Sequence, residues 1–263
     1  MKKFVLIDGN AILHRAYHAL PPLTDKNGVV MNAVYGFCSM FLKVILDLAP
    51  DYMAVAFDRA APTFRQQLYV GYQAQRPKMT DDLSGQIVIL HEVLKKMGIQ
   101  MFEIDGYEAD DIIGTIAKQA VEKTVEDREL KVGVEDGSSK IDKKKINHPS
   151  SNFKKQSSTI HYLPSNLEVI IVTGDRDMLQ LVNSHVKVFA PIVGLTKTIL
   201  FDEALVEEKY GLKPSQIIDY KALVGDASDN YPGVTGIGPK TASALLKKYK
   251  TFEGVYQHLG ELS

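Results

Sequence analysis

Cysteine is almost absent. The 263 residues contain one, Cys38, which excludes an intramolecular disulfide and any cysteine-built metal cluster. It stands in an apolar helical pattern and reads as a buried structural thiol. Histidine offers little more to a soft metal: of seven, only His14 and His18 stand four apart, with no further soft ligand beside them. No apolar run approaches about 18 residues, so no transmembrane helix is expected. The start, MKKFVLIDGN, imitates a signal peptide, but Asp8 interrupts its apolar run and no small-residue cleavage site follows. The expectation is a cytoplasmic protein without a membrane partner. Neither charge dominates, with 31 Lys and Arg against 32 Asp and Glu.

What is present is a substantial apolar fraction, 45%, enough for one large domain or two coupled ones. Four short runs read as buried strands: FVLI (4–7), MAVAF (53–57), QMFEI (100–104) and VIIV (169–172). Between them, residues 32–47, 83–97 and 112–121 carry apolar side chains at helical spacing. This alternation predicts an α/β fold with a mostly parallel sheet covered by helices on both faces. Residues 124–166 break the pattern. They are polar and rich in lysine and serine, and read as an exposed, loosely ordered insertion; a solvated loop is the plainer reading, and its lysines also suit nucleic acid. Beyond residue 200 the pattern is helical with Gly-rich turns.

The acids are distributed unevenly. The first strand ends in Asp8, the second in Asp58, and the fourth delivers Asp175 and Asp177. The third leads into GYEADDI (106–112), where Glu108, Asp110 and Asp111 crowd together. Such carboxylates repel unless something positive sits among them. A helix starting near Ala109 leaves Glu108 in the turn and places Asp110 and Asp111 in the first turn, where the macrodipole favours negative charge. GDASDN adds Asp226 and Asp229, three apart and expected on one helical turn. Aspartate is also a common turn and cap residue. Yet ligands of open α/β sheets bind at the carboxyl ends of strands, and here every predicted strand ends in acid. All-oxygen donors select hard cations, Mg²⁺ or Mn²⁺, and nine acids are too many for one. Two ions suit an in-line displacement at phosphorus. Setting those nine aside leaves 23 acids against 31 basic residues, a surface suited to a polyanion.

Two stretches suit nucleic acid. In TFRQQLYVGYQAQR (63–76), Arg65, Tyr69, Tyr72 and Arg76 are spaced to form one helical stripe of guanidinium and phenol, ended by Pro77; a half-buried helix is the plainer alternative. GVTGIGPKT (233–241) is a Gly-rich turn before a helix, a form that binds backbone phosphate. It is not a P-loop, because Pro239 separates Gly238 from Lys240.

FVLIDGNAILHRAYHALPPL, NAVYGF, AVAFDRAAPTFR, GYEADDIIGTIA, IIVTGDRDMLQLV and LVGDASDNYPGVTGIGPKTASALL occur in that order. Together they closely resemble the 5′-nuclease domain found at the N-terminus of bacterial DNA polymerase I, within the flap-endonuclease superfamily. The resemblance runs from residue 4 to about 256, interrupted by 124–166, a segment foreign to the usual domain. It implies a PIN-like 5′-nuclease core over 1–200 with a helical arch at about 63–97. Residues 201–263 would be a helical DNA-binding subdomain with a helix–hairpin–helix-type motif. It also implies 5′-3′ exonuclease and 5′-flap endonuclease action on DNA and RNA-primed DNA, by a monomer, with polymerase domains continuing the same chain. The first ion would be held by Asp8, Asp58, Glu108 and Asp110, and the second by Asp175, Asp177, Asp226 and Asp229. Asp110 or Asp111 would lie between them or in an outer shell. Mn²⁺ would substitute for Mg²⁺, and K⁺ is implied at the hairpin. Arg76 would contact the scissile phosphate. Arg15, Arg65, Tyr69, Tyr72, Gly236, Gly238, Lys240 and Thr241 would hold DNA.

The sequence departs from that family at the arch, where YQAQR puts Gln73 in place of an expected lysine. Glutamine can donate a hydrogen bond but brings no charge, so slower cleavage is expected, with Lys78 among the residues that could compensate. Two other readings remain open. One is a PIN-type ribonuclease, which uses fewer strand-end acids. The other is a structure-specific DNA-binding module whose cleavage is impaired by Gln73.

Overall fold

The computed structural model describes residues 1–77, 79–132 and 166–261. Six strands make one sheet: β1 (Lys2–Asp8), β2 (Tyr52–Ala56), β3 (Gln100–Phe102), β4 (Leu167–Val172), β5 (Val186–Val193) and β6 (Lys197–Phe201), in the order β3-β2-β1-β4-β5-β6. All neighbours run parallel except β5 and β6. The chain winds outward in one direction from β1 to β3 and in the other from β4 to β6. The strand order therefore reverses between β1 and β4, and such a reversal opens a crevice beyond the strand ends.

Helices cover both faces. On one side lie α1 (Gly9–Ala19), α2 (Asn32–Leu48) and α4 (Asp81–Lys96), packed on Val5, Ile7, Val55, Phe57, Ile170 and Val172. On the other lies α5 (Ala109–Val132), whose Ile112, Ile113 and Ala117 meet Phe4, Leu6, Ala54 and Ile171. Successive strand residues point to opposite faces, which is why FVLI is apolar throughout. Each fully buried aliphatic side chain contributes about 1.5–3 kcal/mol. Cys38, on α2, is half-buried against this core, and burial raises its thiol pKa.

The two strands that the sequence pattern does not announce are β5 and β6. Pro191 sits inside VKVFAPIV and argues against a strand, since it cannot donate to a ladder. The antiparallel register with β6 shifts between Pro191 and Val193, and β5 gains its parallel ladder with β4 before the proline is reached. Of the polar insertion expected over 124–166, residues 124–132 belong to α5, and residues 133–165 lie outside those described. No helix among the described residues is long and apolar enough to cross a membrane.

After β6 the chain is helical, with α6 (Glu203–Tyr210), α7 (Ile217–Val224), α8 (Pro239–Tyr249) and α9 (Phe252–Gln257). A short hairpin of β7 (Gly225–Asp226) and β8 (Tyr231–Pro232) separates α7 from α8. Leu212, Leu223, Ala242 and Leu246 form a small apolar cluster of their own, while Val206 and Ile217 join the core beneath α5.

Candidate metal centre and nucleic-acid interface

Asp8 ends β1 and caps α1, its Oδ1 accepting from the Ala11 N–H at 2.9 Å and its Oδ2 from the Thr173 hydroxyl at 2.8 Å. It is buried, only 4% exposed. Thr173 follows β4, and its hydroxyl oxygen also accepts from the Asp175 N–H at 3.0 Å, so one threonine fixes the acids on both sides of the reversal. Asp58, past β2, accepts from the Ala109 N–H at 2.7 Å, at the start of α5. Its own N–H donates to Asn10 Oδ1 at 3.2 Å. The ends of β1, β2 and β4 thus aim their acids at one rim.

Asp110 lies at the centre of this group. Its pKa is pushed up to about 9, first by burial and then by Asp8, Asp175, Asp58 and Glu108. Asp8 is pushed up to about 7 by burial, against the pull of its Ala11 and Thr173 hydrogen bonds, with Asp58 and Asp175 adding to the rise. Burial raises Glu108 as well, opposed by Tyr72 and Arg65. Five oxygen-donor acids crowd this rim, and burial disfavours the charged forms of Asp8, Glu108 and Asp110, so the site is one that a hard cation would relieve.

A second acid group adjoins the first. One oxygen each from Asp177, Asp226 and Asp229 lies within 4.8 Å of the others, a set of hard donors that fits a divalent cation. Asp175 connects the two groups, since its Oδ1 accepts from the Asp177 N–H at 2.8 Å. Lys221 of α7 reaches in between, its ammonium 2.7 Å from Asp177 Oδ1 and bonded also to Asp226. Asp226 is held down to about 2: burial works against this, but the Lys221 and Ser228 donors prevail. Sequence reasoning missed Lys221. Its signal was a lone base five residues before Asp226 in the otherwise apolar YKALV.

Two expectations are corrected here. The first concerns Asp226 and Asp229, which do not share a helical turn. Gly225 (φ 84°) leads into a hairpin that Asn230 (φ 56°) closes, both in the left-handed region, and a helix cannot pass through either. Asp111, expected between the ions or in an outer shell, is held by Arg65. Its carboxylate takes both Nη atoms of Arg65 at 2.7 Å and accepts from the Glu108 N–H at 3.0 Å. Arg65, expected on DNA, therefore supplies positive charge inside GYEADDI, and its Nη1 also lies 3.2 Å from Glu108.

The second correction is the stripe over 63–76. Only Phe64–Leu68 is helical (α3). Tyr69 is extended, and Gly71 packs so tightly on the Tyr69 ring that a Cβ would stand 2.6 Å from it. Gln73 is left-handed (φ 53°), and successive turns bond 72 to 69, 74 to 71 and 76 to 73. The arch segment thus folds as turns, with α4 beginning only at Asp81, and Arg65, Tyr69, Tyr72 and Arg76 do not form one helical stripe. Lys78 lies outside the described residues. These turns are not free. Tyr72 donates to Glu108 Oε2 at 2.9 Å, Tyr69 to the Asn230 carbonyl at 3.1 Å, and Gln73 Nε2 to Asp229 Oδ1 at 3.0 Å.

Of the remaining candidates, Arg76 lies at the edge of this knot and the others apart from it. Arg76 is exposed, its Nη1 donating to Gln73 Oε1 at 3.2 Å. Arg15 donates from Nε to the Gly194 carbonyl at 2.8 Å. In the C-terminal turn Gly238 caps α8 and Pro239 opens it, leaving Gly236, Gly238, Lys240 and Thr241 all exposed. Pro239 lacks an N–H and already has helical φ, so the helix end presents unpaired backbone donors to solvent.

Comparison with known proteins matches both parts of the chain. Residues 3–148 fit the family described as 5′-3′ exonuclease, N-terminal resolvase-like domain, and residues 212–263 fit 5′-3′ exonuclease, C-terminal SAM fold. A DNA polymerase I of Caldicellulosiruptor bescii is 39% identical over 262 residues, 99% of this chain and 26% of the relative. A 5′-3′ exonuclease of Aquifex aeolicus is 36% identical over 258 residues, 98% of this chain and 73% of the relative. The chain thus spans about a quarter of the length of the polymerase relatives it matches. Among solved structures, T5 5′-exonuclease with bound zinc superposes with a TM-score of 0.65 at 18% identity, covering 98% of this chain and 79% of that one. A bacteriophage T5 flap endonuclease complex with DNA and metal ions superposes equally well, at the same identity and coverage.

Proposed function

The chain belongs to the 5′-3′ exonuclease family, and from that premise we propose that it hydrolyses phosphodiesters at a 5′ end or beside a 5′ flap, on DNA and on RNA-primed DNA, with divalent metal ions. One observation carries the reading: two adjoining groups of oxygen-donor acids at the point where the strand order reverses. Asp8, Asp58, Glu108, Asp110 and Asp175 would hold one ion. Asp177, Asp226 and Asp229 would hold a second. Mg²⁺ fits this donor set, and Mn²⁺ would substitute. Bound there, the ions supply Lewis-acid stabilisation of an in-line displacement at phosphorus.

The protein's own groups do the rest. Thr173 orients Asp8, and Ala109 N–H orients Asp58, so both carboxylates are fixed before substrate arrives. Arg65 fixes Asp111 and thereby the start of α5. Lys221 balances the charge of Asp177 and Asp226. Arg76, exposed beside the acids' arch segment, contacts the scissile phosphate, and Gln73 donates a neutral hydrogen bond where a lysine would offer charge. The exposed turn at Gly236–Thr241 grips duplex backbone, with K⁺ as a further ligand there. The active species is a cytoplasmic monomer, and a polymerase domain is the partner that the longer relatives imply.

Cleavage of a labelled 5′-flap duplex tests this. Cutting near the junction in Mg²⁺ or Mn²⁺ and none in EDTA is the expected result. Absence of both binding and cutting would end the proposal, and cutting confined to RNA strands would favour a ribonuclease.

A further inference from the structure

Asp58 is held through its chain neighbours as well as by its own hydrogen bonds. Phe57, 1% exposed, follows β2, and its N–H donates to the Phe102 carbonyl at the end of β3 at 3.0 Å. Its ring lies against Gly9, the residue after Asp8: a Cβ on Gly9 would stand 2.3 Å from Phe57 Cε1. β1 and β2 pair in register up to Asp8 and Ala56, so this contact forms just past the paired ends, between neighbours of the two acids. A tilt of the Phe57 ring therefore changes the separation of Asp8 and Asp58, because interiors packed this closely transmit displacement.

The same ring meets His91 of α4, edge-on, with ring centroids 4.3 Å apart. His91 Nδ1 lies 3.3 Å from Glu103 Oε1, just after β3. Glu103 Oε2 in turn lies 3.8 Å from Nε of Arg59, the residue after Asp58, which Asp105 also approaches at 3.2 Å. The Arg59 contact is long and half-exposed, so the Phe57 contact carries most of the restraint on Asp58. The imidazole stands there against a cost. Beside an acceptor-only carboxylate Nδ1 carries the hydrogen, which leaves Nε2 as an acceptor. Nε2 is buried and has no hydrogen-bond partner among the described residues. A leucine would strand no polar atom, so packing alone does not call for histidine. What calls for it is a ring that braces Phe57 and a donor that meets Glu103, in one side chain.

We propose that His91 is a positioning residue for the metal centre, acting through Phe57 on the spacing of Asp8 and Asp58 without supplying a ligand itself. This rests on the reading of those acids as metal ligands.

The test is calorimetric titration of the metal-free protein with Mn²⁺, beside single-turnover cleavage of a 5′-flap duplex and equilibrium binding of that duplex in EDTA. His91→Leu removes the ring and the stranded nitrogen together. It should weaken Mn²⁺ binding and slow cleavage at limiting Mn²⁺ about tenfold each, the usual effect of losing an outer support of a metal ligand. Its flap affinity in EDTA and its urea midpoint should match or exceed those of the wild type, which separates the loss from unfolding. His91→Phe keeps a ring on Phe57 and should recover most of the Mn²⁺ affinity. Glu103→Ala frees the imidazole without altering the core and should reproduce part of the loss even if His91→Leu folds poorly. If His91→Leu and Glu103→Ala bind Mn²⁺ and cut as the wild type does, or if His91→Phe is as weak as His91→Leu, the imidazole is core packing and the role is refuted. If the wild type binds Mn²⁺ but cuts no flap, the nuclease reading falls alone, and the Mn²⁺ affinities of the variants still decide the role of His91.

Discussion

Gln73 holds Asp229 twice. Its side-chain amide donates to Asp229 Oδ1 at 3.0 Å, and its backbone N–H donates to the Asp229 carbonyl, also at 3.0 Å. The same amide donates to the Tyr72 hydroxyl at 3.1 Å, and that hydroxyl donates to Glu108. One side chain of the arch thus links an acid of each group. It does so from a left-handed backbone that costs a non-glycine residue on the order of 1 kcal/mol. A lysine at 73 keeps the same backbone and brings an ammonium to the same acids. Gln73→Lys is expected to raise the single-turnover cleavage rate by about tenfold or more, with about 10²–10³ as the ceiling set by lost oxyanion donors. Equal rates for the two proteins on a 5′-flap duplex would show that charge at 73 is dispensable.

Arg65 makes a different kind of contact. Its side chain is 31% exposed and that of Asp111 22%, so the bidentate pair is partly shielded from water. Removing the guanidinium leaves Asp111 and Glu108 facing each other. Arg65→Gln should destabilise the protein by about 1–2 kcal/mol at pH 7. The pH dependence follows from the direction of the Asp111 shift. Burial works to raise its pKa, but the Arg65 and Glu108 donors prevail and hold it below the usual 3.8. A depressed carboxylate stabilises the fold above its unfolded pKa, and that stability is lost as pH falls through the folded value. The deficit of Arg65→Gln should therefore be full at pH 7 and shrink below about pH 4. Urea unfolding at both pH values measures it, and a deficit that does not change with pH would contradict the pairing argument.

Arg65 on α3 and Gln73 in the turns after it show where the sequence was legible and where it was not. The four apolar runs sat on real strands; for FVLI, MAVAF and VIIV this is because strands covered on both faces must be largely apolar, and acids follow where β1, β2 and β4 end. The start of α5 at Ala109 was readable for the same local reason, as a turn followed by helix-favouring acids. The arch was not. Spacing of 4, 3 and 4 describes a stripe only if the helix continues, and the close fit of Gly71 under Tyr69 that breaks it is a tertiary contact invisible to periodicity. Lys221 was hidden likewise, since its importance comes from Asp177 on a distant segment. Arg65 was read as a phosphate ligand because a lone arginine carries no mark of the carboxylate it will meet.

Asp110 gives the acid rim a pH signature. Its folded pKa, pushed up to about 9, stands well above the ordinary 3.8. The native state therefore keeps a proton that the unfolded chain releases, and stability falls as pH rises from about 4 toward 9. Asp110→Asn carries no charge to bury. In the absence of divalent ions it should be more stable than the wild type at pH 8 by about 1 kcal/mol or more, with little difference at pH 4. Divalent ions reverse the order, because they stabilise the charged carboxylates: Mn²⁺ should raise the melting temperature of the wild type more than that of Asp110→Asn. Binding at pH 7 should also release protons, from Asp110 and in part from Asp8. Calorimetric titration in two buffers of different ionisation enthalpy reads that release, and a heat independent of buffer would contradict it.

Gln86 tests the scaffold rather than the rim. It is 1% exposed on α4, yet it caps another helix. Its Oε1 accepts from the N–H groups of Ala33 and Val34, at 2.7 and 3.2 Å, where Met31 offers α2 no side-chain cap. Its Nε2 donates to Asn32 Oδ1 at 3.1 Å, and Asn32 in turn donates to the Tyr17 and Leu20 carbonyls at the end of α1. One buried amide thus joins α1, α2 and α4, the layer under which Asp8 and Asp58 are fixed. Leucine at 86 matches the surrounding core but strands two helix N–H groups and one amide oxygen without water. Each such orphan costs about 1–3 kcal/mol, partly offset by the added apolar burial. Gln86→Leu is expected to lose about 2–4 kcal/mol of stability in urea unfolding, with an unchanged m-value. A loss under about 0.5 kcal/mol would mean that the α2 start is satisfied by other groups and that the cap is not Gln86.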